Sequence, residues 1–311
     1  MKFLFCHFDT EETFLLYSPV FHQIKRSFPE AQFYVLSDKS FKHHLSLIQH
    51  IEQYLYFPEH FIGQYKCVKE VNQYSFDYII DASRVYHKAF RRWVGFLKAK
   101  HKIGYNKGSK KRPFNLALSK HKENHCVDYY LKVLDVLDIE RKSRLPVFPL
   151  FPDTEQKFKQ FFEETIEEGL MVFIHIEPNN PWHSDHWYKL ISNHNLRYFN
   201  LIVNINEASE LKPHIEKLVN VTCVSLEEKH EQLEMIKACN YVVTTSFLHS
   251  YFASSVNLPV LLLAEKEETL ALKFPLSEDY FVVTGRFAKD RLKDISFDSV
   301  LLAFREMVEP K

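Results

Sequence analysis

Glycine is scarce in this chain, with six among 311 residues. None of the glycine-built signatures occurs: there is no G-x-G-x-x-G, no P-loop and no G-x-S-x-G. Dinucleotide-dependent, ATPase and serine-hydrolase chemistry therefore drop out as first readings. The five cysteines (Cys6, Cys67, Cys126, Cys223, Cys239) show no C-x-x-C spacing. Neither a zinc knuckle nor a disulfide framework is suggested, and the expected compartment is the reducing cytoplasm. No apolar run approaches the roughly 20 residues that span a bilayer. The run after Lys2 reaches only Cys6 before polar residues begin, so no cleavable signal is expected. Short repeats and low-complexity tracts are missing as well.

Acidic residues are missing from one long stretch. Between Asp81 and Glu123 there are thirteen Lys or Arg and no Asp or Glu. The formal charge is zero overall, yet residues 1–152 hold 24 basic against 15 acidic side chains, and residues 153–311 hold 16 against 25. A basic half calls for an anionic partner. Within it, Arg84, Lys88, Arg91 and Arg92 lie on the polar side of a helical pattern whose apolar side is Val85, Tyr86, Ala89, Phe90, Trp93, Val94 and Leu97. That helix taken alone reads as a solvated face. Lys107, Lys110, Lys111 and Arg112 crowd a loop around Gly108, where self-repulsion asks for a counter-charge. Because the basic patch is confined to one region of a chain with no net charge, a small or lipid-linked phosphate fits it better than nucleic acid.

What is present is alternation of strand and helix. Phe3–Phe5 reads as a strand, His7–Thr13 as a polar turn with Asp9, Glu11 and Glu12, and Leu15, Leu16, Val20 and Ile24 as one face of a helix. Gln32–Leu36 follows as a second strand. Loops at the carboxyl ends of parallel strands line ligand crevices, which makes the turn a candidate site. A helix is expected over His43–Gln53, a strand over Phe76–Asp81 and a helix over Asp128–Leu137. The segment RLPVFPLFPD, with Pro146, Pro149 and Pro152, cannot hold a helix and reads as a linker between domains 1–150 and 151–311. Beyond it come a helix over Phe158–Glu168, a buried strand over Leu170–Ile176 and the loop EPNNPWHSDHW. Strands follow over Leu201–Asn204, Val221–Val224, Tyr241–Thr244 and Val260–Leu263. A last helix, Ser299–Met307, is expected to pack back across the linker on the first domain. The fold class is α/β with parallel sheets.

Four stretches in order carry a family resemblance: HFDTEETFLLYSPVFHQIKRSFPEAQFYVL with Asp9, Pro19, Phe28 and Pro29; FDYIIDAS; the I-G-Y at Ile103–Tyr105; and H-x-V-D-x-Y-L-x-x-L at His125–Leu134. On these the chain resembles glycosyltransferase family 9, the bacterial heptosyltransferases of lipopolysaccharide core assembly. The resemblance implies the GT-B architecture, two Rossmann-like domains with parallel sheets facing a central cleft. It implies an N-terminal acceptor domain for a phosphorylated glycolipid, seated by Arg84, Lys88, Lys107, Lys110, Lys111 and Arg112, and a C-terminal domain for a nucleotide-sugar, ADP-heptose in that family. It further implies an inverting enzyme with no metal and no cofactor beyond the nucleotide-sugar substrate, in keeping with the absence of a D-x-D motif. Such a protein would be cytoplasmic, with peripheral contact at the inner face of the bacterial inner membrane.

The family pattern also assigns site residues. Its Gly-Asp, whose Asp is the general base, falls on Glu12 and Thr13. An alcohol is not a base near neutral pH, so the catalytic candidates are Glu12 and Asp9 beside Thr13, with Glu11 adjacent. The donor loop places Trp182 on the family's Trp and Asn180 on its Lys, next to Asn179. His183 or His186 could stand in for the lost cation when protonated. The phosphate-cradling Asp-Thr-Gly-x-x-His falls in one register on Ser246–Tyr251. In another it falls on Thr244, Thr245 and Ser246 with His249. His183-x-x-His186 with Asp185 and His175 reads as structural or substrate-contacting rather than as a metal site. Because base, cation and glycine are altered together, the competing reading is a catalytically lapsed GT-B-like binding or scaffold protein.

Overall fold

Short apolar runs such as Phe3–Phe5 and Val260–Leu263 become parallel strands. In the computed structural model the described residues are 1–38, 46–83, 87–105, 113–118, 125–166, 168–177, 182–265, 270–285 and 291–309. They form two units, Met1–Pro149 and Leu150–Lys311. The last linker proline, Pro152, opens the first helix of the second unit, where its missing N–H costs nothing.

The first unit runs β1 (Lys2–Cys6), α1 (Glu11–Phe14), a 3₁₀ turn (Leu15–Tyr17), α2 (Ser18–Ser27), β2 (Gln32–Ser37), β3 (Ile51–Tyr56), α3 (Phe61–Val71), β4 (Phe76–Asp81), α4 (Lys88–Trp93), β5 (Ala99–Gly104), β6 (Leu116–Ala117) and α5 (Cys126–Val136). Its sheet is parallel in the order β3-β2-β1-β4-β5-β6. The second unit runs α6 (Pro152–Thr165), β7 (Met171–His175), α7 (Ser184–Ile191), β8 (Asn200–Asn204), α8 (Lys212–Ile215), β9 (Val221–Val224), α9 (Lys229–Lys237), β10 (Tyr241–Thr244), α10 (Phe247–Ser255), β11 (Val260–Leu263), β12 (Tyr280–Val283) and α11 (Phe297–Val308). Its order, β12-β11-β10-β7-β8-β9, repeats the first topology strand for strand. In both sheets the strand order reverses at one point, between β1 and β4 and between β7 and β10, the position at which open α/β sheets place their ligands.

Packing follows from the pattern. Pro19 sits in the first turn of α2, Val20, Phe21 and Ile24 turn inward, and Lys25 and Arg26 close its last turn, where cations complement the helix dipole. The Phe21 ring meets Phe5 of β1 edge-on at 4.6 Å, a favoured aromatic geometry. In the second unit, Val300, Phe304 and Met307 of α11 are buried in the cluster that holds Trp182, Trp187 and Ile174, so this helix covers β11 and β12.

The helix expected over His43–Gln53 is corrected by the structure. Residues 46–50 form a turn, and Ile51–Tyr56 is β3, paired in parallel with Phe33–Ser37 of β2. The stretch I-E-Q-Y-L-Y carries its aromatic and branched residues at an exposed sheet edge, where pairing with β2 outweighs the helical spacing. The strands β5, β6 and β12 escape the sequence reading. In β5 the A-K-H-K-I-G run carries Lys100 and Lys102, and its first four residues are only partly covered.

Gly104, at the end of β5, has a clear steric role. A Cβ there would lie 2.7 Å from the Phe114 ring, and that ring is itself covered by the Arg91 guanidinium at 4.6 Å. Gly104→Ala is expected to cost about 1–3 kcal/mol by overpacking, measured as a shift in the urea midpoint with unchanged slope.

Candidate functional site

At the first unit's switch point stands the turn leaving β1. His7 is fully buried, with Nε2 3.0 Å from the Thr10 carbonyl. Asp9 is buried at 4 % exposure and accepts a 3.0 Å hydrogen bond from the Tyr130 hydroxyl of α5. Tyr130 stacks on Tyr17 at 4.1 Å, so the donor is held by ring packing. Thr13 is buried and gives its hydroxyl proton to the Thr10 carbonyl at 2.8 Å. The Tyr130 hydroxyl also interacts with Thr13, so Asp9 shares a hydroxyl network with the position where the family pattern puts its base. Glu12 is half-buried in α1, and the Glu11 side chain lies outside what is described.

Across the switch point, Asp81 at the end of β4 is buried with Ser83. Burial pushes its carboxyl up, while Arg91 at 3.7 Å and the Ser83 N–H pull it back. Arg91 also donates to the Tyr105 carbonyl at 2.7 Å. His87 accepts the Phe90 N–H through Nδ1, which leaves its Nε2 to face Asp38 at 3.2 Å, and its ring stacks on Phe8 at 4.3 Å.

In the second unit a cavity of about 390 Å³ opens over the ends of β7, β8, β9 and β10. Its lining includes His175, Glu177, Asn206, Lys229, Ser246 and His249. Gln232 fixes the floor. Its Nε2 donates to the Leu226 carbonyl at 2.7 Å, so Oε1 must be the atom 2.9 Å from His249 Nε2, and that nitrogen must carry the proton. His249 Nδ1 is then a bare, buried acceptor with no hydrogen-bond partner. The same logic holds for His175. Asn204 Oδ1 accepts the Leu226 N–H at 3.0 Å, so its Nδ2 donates to His175 Nδ1 at 3.1 Å and the proton sits on Nε2. The two rings lie 3.9 Å apart. Imidazoles this close cannot both be charged without repulsion. Burial lowers His175 to about 3, with Lys229 adding to the effect, and lowers His249 well below 6.5, with His175 and Lys229 adding.

This pair ties stability to pH. Both rings are neutral in the fold, so as pH falls below 6.5 the unfolded chain takes up protons that the folded chain refuses. The stabilisation is complete above 6.5 and is lost as pH drops toward 3, by up to about 1.4 kcal/mol per pH unit for each ring. Urea unfolding at pH 7.5, 6 and 5 is expected to show this slope, and His249→Gln is expected to remove about half of it.

The sequence-predicted residues sort as follows. Asp9 and Thr13 meet at one network, with Glu12 nearby. Thr245 and His249 are buried beside β10, and Ser246 stands at the head of α10, its N–H bonded to Thr244 Oγ1 at 3.0 Å. Trp182 is 1 % exposed, donates to the Ile295 carbonyl at 3.1 Å and meets Trp187 edge-on. It also borders a second cavity of about 410 Å³ with Ser184 and Asn206. His183 is exposed, and its ring lies 5.8 Å from that of half-buried His186. Burial, with His183 and Lys189, lowers the His186 pKa, so this ring is a poor substitute cation near neutrality. Lys88 is exposed at the head of α4. Arg84, Lys107, Lys110, Lys111, Arg112, Asn179 and Asn180 lie outside the described residues. Sequence reasoning missed Lys229 and Gln232; the available signal was their place just past the carboxyl end of β9.

The sequence matches no protein-family profile and no curated protein. Solved structures match along the whole chain. A glycosyl transferase family 9 structure from Veillonella parvula superposes with a TM-score of 0.73 at 12% identity, over 98% of this chain and 96% of that one. The fold is GT-B. E. coli heptosyltransferase WaaC with ADP-2-deoxy-2-fluoro heptose gives a TM-score of 0.70 at 14% identity, covering 98% and 99%. E. coli ADP-heptose lps heptosyltransferase II gives 0.68 at 16%, covering 99% and 98%. The GT-B halves of the present chain are thus the two parallel sheets described above, as the four sequence stretches implied.

Proposed function

We propose that the chain is an inverting, metal-independent glycosyltransferase that moves a heptose or hexose-like sugar from a nucleotide-sugar to a phosphorylated lipopolysaccharide or lipooligosaccharide core. The observation that carries the reading is the GT-B likeness over at least 98% of the chain to heptosyltransferase structures. The polar cavity at the second unit's switch point supports it, being of a size for a nucleotide. In this reading the first unit supplies the base and seats the acceptor at a membrane surface, and the second unit holds the donor.

Asp9 is the better base of the two carboxylates, because its side chain is buried and positioned by Tyr130 whereas Glu12 is half-buried on α1. The acceptor hydroxyl gives its proton to Asp9 as its oxygen attacks the anomeric carbon. The bond from that carbon to the diphosphate breaks, and the nucleoside diphosphate leaves with the electron pair. Lys229 stabilises the departing charge, and the head of α10 at Ser246 offers backbone N–H groups. The test is a transfer assay in EDTA, with the product's anomeric configuration read by NMR. Inverted product is expected. Retained configuration, or activity only with a divalent ion, would contradict the proposal.

A further inference from the structure

The helix α3 is amphipathic the wrong way round at its first turns. It buries Gln64, Cys67, Val68 and Val71, while Phe61, Ile62 and Tyr65 point out at 64%, 68% and 56% exposure. Phe96, in the turn after α4, is 67% exposed. Phe61, Tyr65 and Phe96 share a base. Trp93 lies beneath them, with ring centroids 5.0 Å from Phe61, 6.3 Å from Tyr65 and 5.8 Å from Phe96. The base is tied down: the Trp93 indole N–H donates to Gln64 Oε1 at 2.7 Å, and Asn72 holds the Phe96 carbonyl at 3.0 Å and the Lys98 N–H at 2.6 Å. A fixed cluster of exposed aromatic and branched side chains is a contact surface, not scattered exposure.

The surrounding charge selects the partner. Lys66, Lys69, Lys88, Arg92 and Lys98 are exposed on α3, α4 and the following turn, against Glu59 and Glu70. We infer that this surface docks on an anionic phospholipid bilayer, the aromatic rings entering the headgroup region and the lysines and Arg92 meeting lipid phosphates. The surface lies on the first unit and shares no residue with the Asp9 network, so docking is read without any donor or acceptor sugar; that the docked chain meets its acceptor there rests on the proposed function.

The experiment is sedimentation of the full chain with vesicles of phosphatidylglycerol and phosphatidylethanolamine, compared with phosphatidylcholine alone. Binding to the anionic vesicles is expected, weakening as salt rises. The triple variant Phe61→Ser, Ile62→Ser, Phe96→Ser is expected to bind about tenfold more weakly or worse, and Ile62→Leu to bind like the wild type. Fluorescence of Trp93 is expected to be quenched by brominated lipid, and Trp93→Phe to remove that quenching. Unchanged circular dichroism of the triple variant checks its folding. The proposal is overturned if the wild-type chain stays in solution, or if the folded triple variant binds undiminished. It is also overturned if light scattering shows a wild-type dimer that the triple variant converts to monomer, which would assign the surface to a second copy of the chain.

Discussion

Asp9→Asn is expected to lower kcat for sugar transfer by about 10²–10⁴-fold with KM little changed, since it removes proton acceptance from the transition state and leaves ground-state contacts in place. The substitution is nearly isosteric, and Asn still accepts the Tyr130 hydroxyl, so the thermal midpoint should hold. Glu12→Gln is expected to cost less than about tenfold. Thr13→Val should also leave most activity, because the Thr13 hydroxyl is committed to the Thr10 carbonyl. Kinetics of the three variants decide the assignment. A dead Glu12→Gln beside an active Asp9→Asn moves the base to Glu12.

The second large effect is expected at Lys229. Among the described residues lining the second unit's cavity it is the only Lys or Arg, and the two histidines there are neutral. Lys229→Met is therefore expected to weaken nucleoside-diphosphate binding by about 10–100-fold, the loss of one charge-assisted contact to phosphate. Burial lowers the Lys229 pKa, and Glu177 and Glu228 oppose that shift. Glu177 thus keeps the ammonium charged while opposing an anionic ligand. Calorimetry on Lys229→Met measures the loss directly. An unchanged Kd would show that the cation for the diphosphate lies elsewhere.

Much of the fold was legible because buried parallel strands are nearly continuous apolar runs: Phe3–Phe5, Leu170–Ile176 and Val260–Leu263 stand out against their surroundings. The two units divide between Pro149 and Leu150, inside the proline-rich stretch. Two strands were harder: β3 at the sheet edge and β5, flanked on its outer side by the two-residue β6, carry Glu52, Gln53, Lys100 and Lys102 among their apolar residues. The turn at His7–Thr13 was found from its carboxylates, but their ranking needed three dimensions. Nothing in the sequence near Asp9 says that Tyr130, 121 residues away, will bond it. The same applies to the histidine pair. His249 was visible as a motif residue, whereas its tautomer follows from Gln232 and Leu226 on a neighbouring element.

Titration calorimetry of the full chain with ADP-, UDP-, GDP- and CMP-sugars tests the central claim most directly. Saturable one-site binding to one nucleoside-diphosphate sugar is expected, weakened in Lys229→Met and unaffected in Asp9→Asn. No heat with any of the four, in a chain whose melting is intact, would contradict it and favour a GT-B-shaped scaffold.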